Sequence, residues 1–308
     1  MIDASEDRPI DFPSLPVMDL ARAQASADVD DADSLRDRLL ATAGRLVGAP
    51  EREDFLRRLA RARPYRLSPR ACTALAVSLE RDADGLEQNV DLIRLPEEGL
   101  WFEFAESDLS RGALTDLGEG RRRPLNVGVL VAPDPDDEDR FVVMCSWEFE
   151  PHFGMRRDAL VRHGYGVIAF SMATLAEHAF LARSGRLESE KPAAARLLDL
   201  SIGYVPPGFR DEALVTSDID PNDETAVKRL VASFLYDVAA EVPLALAVSL
   251  LLSTKASANV TGEGAGKLPT LDVPTSIGRQ VMGWAWGTGF RRGGTARAPS
   301  VRFIPLRA

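Results

Sequence analysis

The sequence predicts an α+β fold with an N-terminal helical segment and a central, mostly antiparallel four-stranded sheet on which helices pack. Three observations favour this class. The first third of the chain places apolar residues at helical spacing, whereas its middle alternates apolar and polar residues with a period of two. In addition, 45% of the 308 residues are hydrophobic, which is enough to bury a sizeable core.

Composition also limits the functional classes. A formal net charge of −10 argues against a protein that coats nucleic acid or anionic membrane with its whole surface. The two cysteines, Cys72 and Cys145, lie far apart in apolar patterns, so we expect buried thiols and no disulfide. The first residues lack the basic and apolar regions of a secretory signal, and the longest apolar run, 242–252, is about half of the ~20 residues that a membrane span needs. We therefore expect a cytoplasmic protein without a membrane anchor.

The chain divides into four parts by composition and periodicity. Residues 1–33 are rich in Asp and Pro without a sustained period, and we expect a flexible acidic arm. Residues 34–86 form the helical segment and residues 87–255 the α+β core. Residues 256–308 are dense in Gly, Thr, Ser and Arg and are expected to be a C-terminal tail.

Three helices are predicted in the helical segment. The first begins after Ser34, a favourable N-cap, and stops at Gly48. The second covers 52–62 and ends before Pro64. The third has Pro69 at its first helical position and runs toward Gly85.

The core is predicted to contain four strands and several helices. Polar segments rich in Gly, Pro and Asp separate the first three strands, which favours an antiparallel meander. The strands are expected at 100–106, 124–132, 141–152 and 165–172. Helices are expected at 155–163, 174–183, 192–200 and 225–254, the last broken at Pro243.

The third strand carries the clearest pattern in the chain, because its side chains separate into an apolar row and a polar row. The apolar row is expected to face the core and consists of Phe141, Val143, Cys145, Trp147 and Phe149. The polar row points the other way and consists of Ser146, Glu148, Glu150 and His152. The strand is therefore predicted to be half-buried.

The polar row suggests a metal site, since alternate side chains on a strand lie about 7 Å apart and share one face. Glu103 on the first strand joins the row if that strand pairs alongside. The candidate ligands are Glu103, Glu148, Glu150 and His152. Oxygen ligands with one imidazole suit Mg²⁺ or Mn²⁺. The alternative is that these residues form the ordinary solvent face of a strand, and no catalytic residue is assigned.

The C-terminal tail suggests a surface for a partner. Aromatic side chains can stack on bases or pack on a protein, and arginines can track phosphates. The candidate residues are Trp284, Trp286, Phe290, Arg291 and Arg292. Contact with a protein partner, docking of the tail on its own chain and binding of single-stranded nucleic acid all fit this composition.

Three segments resemble an uncharacterised family of phage and prophage-associated proteins from alphaproteobacteria. They are ARPYRLSPRACTALAVSL at 62–79, LPEEGLWFEFAE at 95–106 and LALAVSLLLSTK at 244–255. Trp101, Phe102 and Glu103 occupy the strand core of the second motif. The chain departs from the family at 261–268, which is glycine-rich where the family has a basic segment. The resemblance implies a phage-derived bacterial protein and no particular activity.

Two functions follow from the sequence. The first is a non-enzymatic intracellular interaction protein of phage or prophage origin, without a cofactor, that binds a protein or nucleic-acid partner or associates with itself through the tail or the exposed sheet face. The second is a divalent-metal-dependent hydrolase of the phosphodiester type that uses the carboxylate and histidine row with Mg²⁺ or Mn²⁺.

Overall fold

The computed structural model describes residues 34–42, 50–81, 83–105, 124–149, 160–187, 189–254, 259–261 and 268–272. Within these ranges helices and strands alternate around one mixed sheet. The α-helices are α1 (Leu35–Thr42), α2 (Pro50–Arg61), α3 (Pro69–Arg81), α4 (Ala83–Glu87), α5 (Met172–Arg183), α6 (Ala193–Asp199), α7 (Pro207–Thr216), α8 (Glu224–Ala239) and α9 (Val242–Ser253). A 3-10 turn, Val90–Leu92, follows α4.

The described strands number nine, eight of them in the order β7-β6-β4-β3-β2-β1-β9-β8, and β5 pairs with β4 beside this path. Their bounds are β1 (Arg63–Leu67), β2 (Leu100–Ala105), β3 (Pro124–Asp134), β4 (Asp137–Phe149), β5 (Leu160–His163), β6 (Val167–Ser171), β7 (Ile202–Tyr204), β8 (Asn259–Thr261) and β9 (Thr270–Asp272). The mixed α and β class is confirmed.

The predicted four-stranded, mostly antiparallel sheet is wrong in strand number, and the sheet as a whole is mixed. The four predicted strands exist as β2, β3, β4 and β6 and pair antiparallel. However, β1 pairs in parallel with both β2 and β9. Helices α3 and α4 connect β1 to β2, and such a crossover is what a parallel pair requires. The added strands are short, and β1 contains Pro64, so period-two alternation could not reveal them.

The predicted helix at 155–163 is also wrong where the structure describes it. Leu160–His163 forms β5, which pairs antiparallel with β4 and places His163 opposite Ser146. Four residues can fit either a helical or a strand pattern, and pairing with β4 decides the outcome here. The late helix is confirmed as α8 and α9, which are separated at Ala240 and Glu241, just before Pro243.

Helices cover both faces of the sheet. The first face carries Phe141, Val143, Cys145 and Trp147 of the predicted apolar row of β4 and packs against α3, α5 and α9 in the largest core cluster. The second face carries Trp101, Leu130 and Met144 and packs against Leu35 of α1 and Phe55 of α2. The first two helices of the helical segment therefore form a layer on the second face, which is not the open surface that the sequence suggested.

Helix α9 is the central helix of the first face. Every residue from Val242 to Leu251 is buried, including Pro243 in the first turn of the helix. Taken together, α8 and α9 (Glu224–Ser253) have the length and apolarity of a membrane span. However, two thirds of the most apolar window of this stretch is buried inside the protein. This burial explains its hydrophobicity as that of a core helix.

Part of the predicted C-terminal tail belongs to the sheet. Strand β9 inserts Leu271 into the core, and the Asp272 carboxylate accepts a hydrogen bond of 2.7 Å from the Ser68 hydroxyl at the start of α3. Strand β8 pairs with β9 and forms one outer edge of the sheet. The core therefore extends past residue 255.

Candidate functional site

Two of the predicted metal ligands lie on the second face of the sheet. Glu103 is opposite Gly128 of β3, and Glu148 is opposite Asn126 of the same strand. Strand β3 therefore separates the two glutamates, which places their backbones about 10 Å apart by strand spacing. The side chains are only 2% and 4% exposed, because α1 covers them.

Glu103 binds the beginning of α1. Its Oε2 accepts a hydrogen bond of 3.1 Å from the backbone N–H of Arg36, and its Oε1 accepts one of 3.1 Å from the Arg66 guanidinium. The indole N–H of Trp101 lies 3.4 Å from Oε2. A carboxylate at a helix N-terminus is favourable because the free amides carry partial positive charge. Burial nevertheless outweighs these contacts and raises the pKa of Glu103.

Glu148 binds the next part of the same helix. The Arg38 guanidinium donates a hydrogen bond of 2.6 Å to Oε2 of Glu148, and the Asn126 amide donates to the same oxygen. Ser34 caps α1, since its Oγ accepts a hydrogen bond from the Asp37 N–H at 3.0 Å. Both glutamates therefore act on one short helix and hold it against the sheet.

This arrangement favours a role for the two glutamates in holding α1 on the sheet over a role as metal ligands. Both oxygens of Glu103 and Oε2 of Glu148 already accept hydrogen bonds from arginine or amide donors, which compete with a cation for the same lone pairs. In the part of the chain that the structure describes, no group of three or more His, Cys, Asp or Glu side chains is placed to hold a metal ion. Glu150 and His152 lie outside the described residues, so the Mg²⁺ or Mn²⁺ site stays a prediction.

A groove opens at the other end of the second face, where the sheet ends in β7. We call it the β7 groove. Its volume is about 280 Å³. Its lining residues are Pro50, Glu51, Asp54, Arg58, Val142, Met144, Val167, Tyr204, Pro206 and Phe209. The groove thus combines an apolar floor from β4 and β6 with charged groups from α2.

Glu51 is the most unusual group of the groove. Its Oε1 accepts a hydrogen bond of 2.9 Å from the N–H of Gly208 in the first turn of α7. Its Oε2 is buried and has no hydrogen-bond partner among the described residues. A Cβ at position 208 would lie 2.3 Å from this oxygen, so a larger residue there would displace the carboxylate from its present position. The N-termini of α2 and α7 both stabilise the negative charge of Glu51.

Charges also surround Tyr204, which closes the groove on the β7 side. Partial burial, reinforced by the Asp134 carboxylate, raises the pKa of the Tyr204 hydroxyl above its usual value of 10.0. Arg58 and Arg140 act in the opposite direction, and Asp136 adds to the effect of Asp134. The hydroxyl therefore stays protonated at neutral pH and can donate a hydrogen bond.

Strand β7 itself is exposed. No described strand pairs with its outer side, so its outer backbone groups form a sheet edge. Ile202 is 59% exposed and Tyr204 is 38% exposed. Both lie on the second face, because they pair with Ala169 and Val167 of β6. An uncharged sheet edge with apolar side chains beside a groove is a surface to which an extended peptide can add as a further strand.

A second polar cluster joins three helices on the first face. Oε1 of Glu87 on α4 lies 2.7 Å from Nε2 of His178 on α5 and accepts a hydrogen bond of 2.7 Å from Nε of Arg196 on α6. Glu87 is almost fully buried and raises the pKa of Arg196. These groups satisfy one another, which gives the cluster a structural role.

Sequence reasoning missed the β7 groove. The apolar alternation of Ile202 and Tyr204, ended by Pro206 and Pro207, was the one available signal, and three residues are too few to separate a strand from a loop. The tail residues predicted to bind a partner lie outside the described residues, namely Trp284, Trp286, Phe290, Arg291 and Arg292. Comparisons with protein-family models, with curated proteins and with solved structures find no significant match to this chain.

Proposed function

We propose that this chain is a non-enzymatic intracellular interaction protein and that it binds a protein partner by adding an extended segment of that partner to β7. The observation that carries the proposal is the open edge of β7, where Ile202 is 59% exposed beside the β7 groove. Backbone hydrogen bonds to a sheet edge supply affinity, and neighbouring pockets supply specificity.

The coverage of the sheet supports an edge over a face as the binding surface. Helices α1 and α2 cover the second face, and α3, α5 and α9 cover the first. The partner is therefore expected to meet the protein at the rim of the sheet. A phage or prophage origin is part of the proposal and rests on the resemblance of three sequence segments.

The opposite edge is a weaker candidate. Strand β8 also has three residues, and Val260 is 44% exposed. However, β7 lies beside a groove with an apolar floor, and this combination gives an added strand both backbone and side-chain contacts. We therefore assign partner binding to β7.

The test is selection of peptides from a random displayed library against the full chain. Enriched peptides are expected to alternate apolar and polar residues. Their affinity should fall about tenfold for Ile202→Lys, because an edge lysine opposes strand addition. Val215→Lys is the matched control, since Val215 is 82% exposed and lies on α7 instead of β7.

Three outcomes decide the proposal. Peptides that bind wild type and Val215→Lys equally and Ile202→Lys weakly support it. Peptides that bind Ile202→Lys as well as wild type, or the absence of any enriched peptide, contradict it. A concentration-dependent dimer that Ile202→Lys abolishes would identify a second copy of the chain as the occupant of the edge.

The alternative functions stay predictions. A metal-dependent hydrolase would have to rely on Glu150 and His152, because Glu103 and Glu148 are engaged with α1. Nucleic-acid binding would have to use the aromatic and arginine residues of the tail. Neither alternative gains support from a contact among the described residues.

A further inference from the structure

We propose that the β7 groove receives a basic side chain, lysine or arginine, from the segment that adds to β7. This inference rests on the proposed function and names the chemical character of the partner. Five observations support it, namely the position of the groove, its volume, its charge, the buried acceptor of Glu51 and the apolar floor.

The position of the groove relative to β7 supplies the first argument. Tyr204 lines the groove and is also the last residue of β7. A strand paired outside β7 would place one of its side chains beside Tyr204 on the same face, because directly paired residues point to the same side of a sheet. A long side chain at that position would extend over Tyr204 into the groove.

The volume of the groove favours a side chain over a larger ligand. About 280 Å³ lies just below the range of about 300–1,000 Å³ that is typical of pockets for drug-sized molecules. A single long side chain fits this space while the rest of its strand stays on β7.

The charge around the groove favours a cation. The charged groups that line it are Glu51, Asp54 and Arg58, and the further charges that act on Tyr204 are Asp134, Asp136 and Arg140. Four carboxylates therefore stand against two guanidinium groups. Asp54 is already paired with Arg58 at 2.7 Å, whereas no ion pair joins Glu51 to another of the described residues.

Glu51 also has unused hydrogen-bonding capacity. Only its Oε1 has a partner among the described residues, the N–H of Gly208, and its Oε2 is buried without one. A buried acceptor without a donor is unfavourable, and an ammonium or guanidinium donor would remove this penalty after a small rotation of the carboxylate.

The floor of the groove matches the rest of such a side chain. Val142, Met144 and Val167 are buried apolar residues at the bottom, and Phe209 adds an aromatic wall. Lysine and arginine pack their methylene stems on apolar surface and keep the charged end at polar groups. The stem would thus lie on the floor while the charge meets Glu51.

The test uses a peptide from the selection described above whose binding depends on Ile202. The enriched peptides should share a lysine or arginine at one position. Glu51→Gln should weaken binding of such a peptide about tenfold, since it removes a charged hydrogen-bond partner but still accepts from Gly208. Replacing the basic residue of the peptide by norleucine should have the same effect on wild type and little further effect on Glu51→Gln.

Glu53→Gln is the matched control, because Glu53 lies in the same turn of α2 and is exposed. It should change the affinity less than twofold. If norleucine and Glu51→Gln weakened peptide binding independently, or if the enriched peptides carried acidic residues, the assignment of a basic side chain to the groove would be overturned. Strand addition at β7 would remain intact. Absence of any Ile202-dependent peptide would overturn strand addition and this inference together.

Discussion

At the scale of single residues, the second face is organised by buried charges. Glu103 and Glu148 accept hydrogen bonds from the Arg36 amide and the Arg38 guanidinium, which lie two positions apart on α1. A helix of eight residues is too short to be stable alone in water, so its contacts with the sheet must hold it. Removing one partner of a buried pair leaves the other charge without compensation.

Arg38→Met should therefore lower the free energy of unfolding by about 3 kcal/mol, toward the low end for a buried pair because the Arg38 side chain is partly exposed. Adding Glu148→Gln to that variant should recover part of the loss, since the uncompensated charge is gone. Urea denaturation measures both. As a control, Lys228→Ala should cost less than about 0.5 kcal/mol, because the Lys228–Glu224 pair is exposed. Equal effects of Arg38→Met and Lys228→Ala would contradict this account.

The raised pKa of Glu103 predicts a defined pH dependence. Burial favours the protonated carboxyl in the folded state, so its contribution to stability is complete below the usual pKa of 4.5 and is lost as the pH rises through the folded-state pKa. The free energy of unfolding of the wild type relative to Glu103→Gln should thus be larger at pH 4 than at pH 7. Urea denaturation at both values provides the comparison, and a difference of opposite sign would show that arginine contacts outweigh burial.

At the scale of elements, the packing of α1 depends on a glycine in β3. Gly128 lies opposite Glu103 and leaves space for the indole ring of Trp101, which packs across β3 in the same cluster as Leu35 of α1. A Cβ at position 128 would lie 2.1 Å from the ring and 3.1 Å from the Leu35 side chain. The ring is fully buried and cannot move aside freely.

Gly128→Ala should therefore destabilise the protein by about 3 kcal/mol through overpacking. Trp101→Phe removes the clashing part of the ring, so the double variant should be more stable than the sum of the two single effects by about 1 kcal/mol or more. Thermal or urea denaturation of all four proteins completes the cycle. Strictly additive effects would mean that the two side chains do not meet.

How well the sequence predicts each element depends on the length of its pattern. Strand β4 has thirteen residues and a long period-two pattern, and its strand character and the burial of Phe141, Val143, Cys145 and Trp147 are confirmed. Strands β7, β8 and β9 have three residues each, and pairing with longer strands determines them. β-propensity alone cannot identify such segments, since pairing and burial decide them.

The candidate site shows the same limit. The sequence correctly places Glu103 and Glu148 in strands, and the structure puts them on one face. It could not show that β3 separates them or that Arg36 and Arg38 reach them, because those contacts join residues 67 and 110 positions apart. The β7 groove combines α2, β4, β6, β7 and α7, so only the tertiary fold brings its parts together.

At the scale of the whole molecule, both faces of the sheet are covered and its outer strands are short. The polar face that the sequence offered for a metal or a partner is filled by α1 and α2. Function is therefore expected at the rim, where β7 is exposed and the β7 groove opens. This explains why the strongest sequence pattern marks the core instead of the proposed binding surface.

We expect divalent metal ions to leave the thermal stability of the protein unchanged. Thermal unfolding of the full chain with EDTA, Mg²⁺ or Mn²⁺ should give the same midpoint, because a ligand raises the midpoint only when it binds the folded state. A rise with Mg²⁺ or Mn²⁺ that Glu150→Ala abolishes would instead support the hydrolase. Glu138→Ala, which removes an exposed carboxylate at the start of β4, is the control.

The most direct measurement for the central claim is amide hydrogen exchange of the full chain, free and bound to an Ile202-dependent peptide. Strand addition should slow exchange at the outward amides of β7, in residues 202–204, because these amides gain hydrogen bonds to the peptide. The amides of β8, in residues 259–261, should exchange unchanged. Protection at β8, or binding without protection at β7, would contradict strand addition at β7.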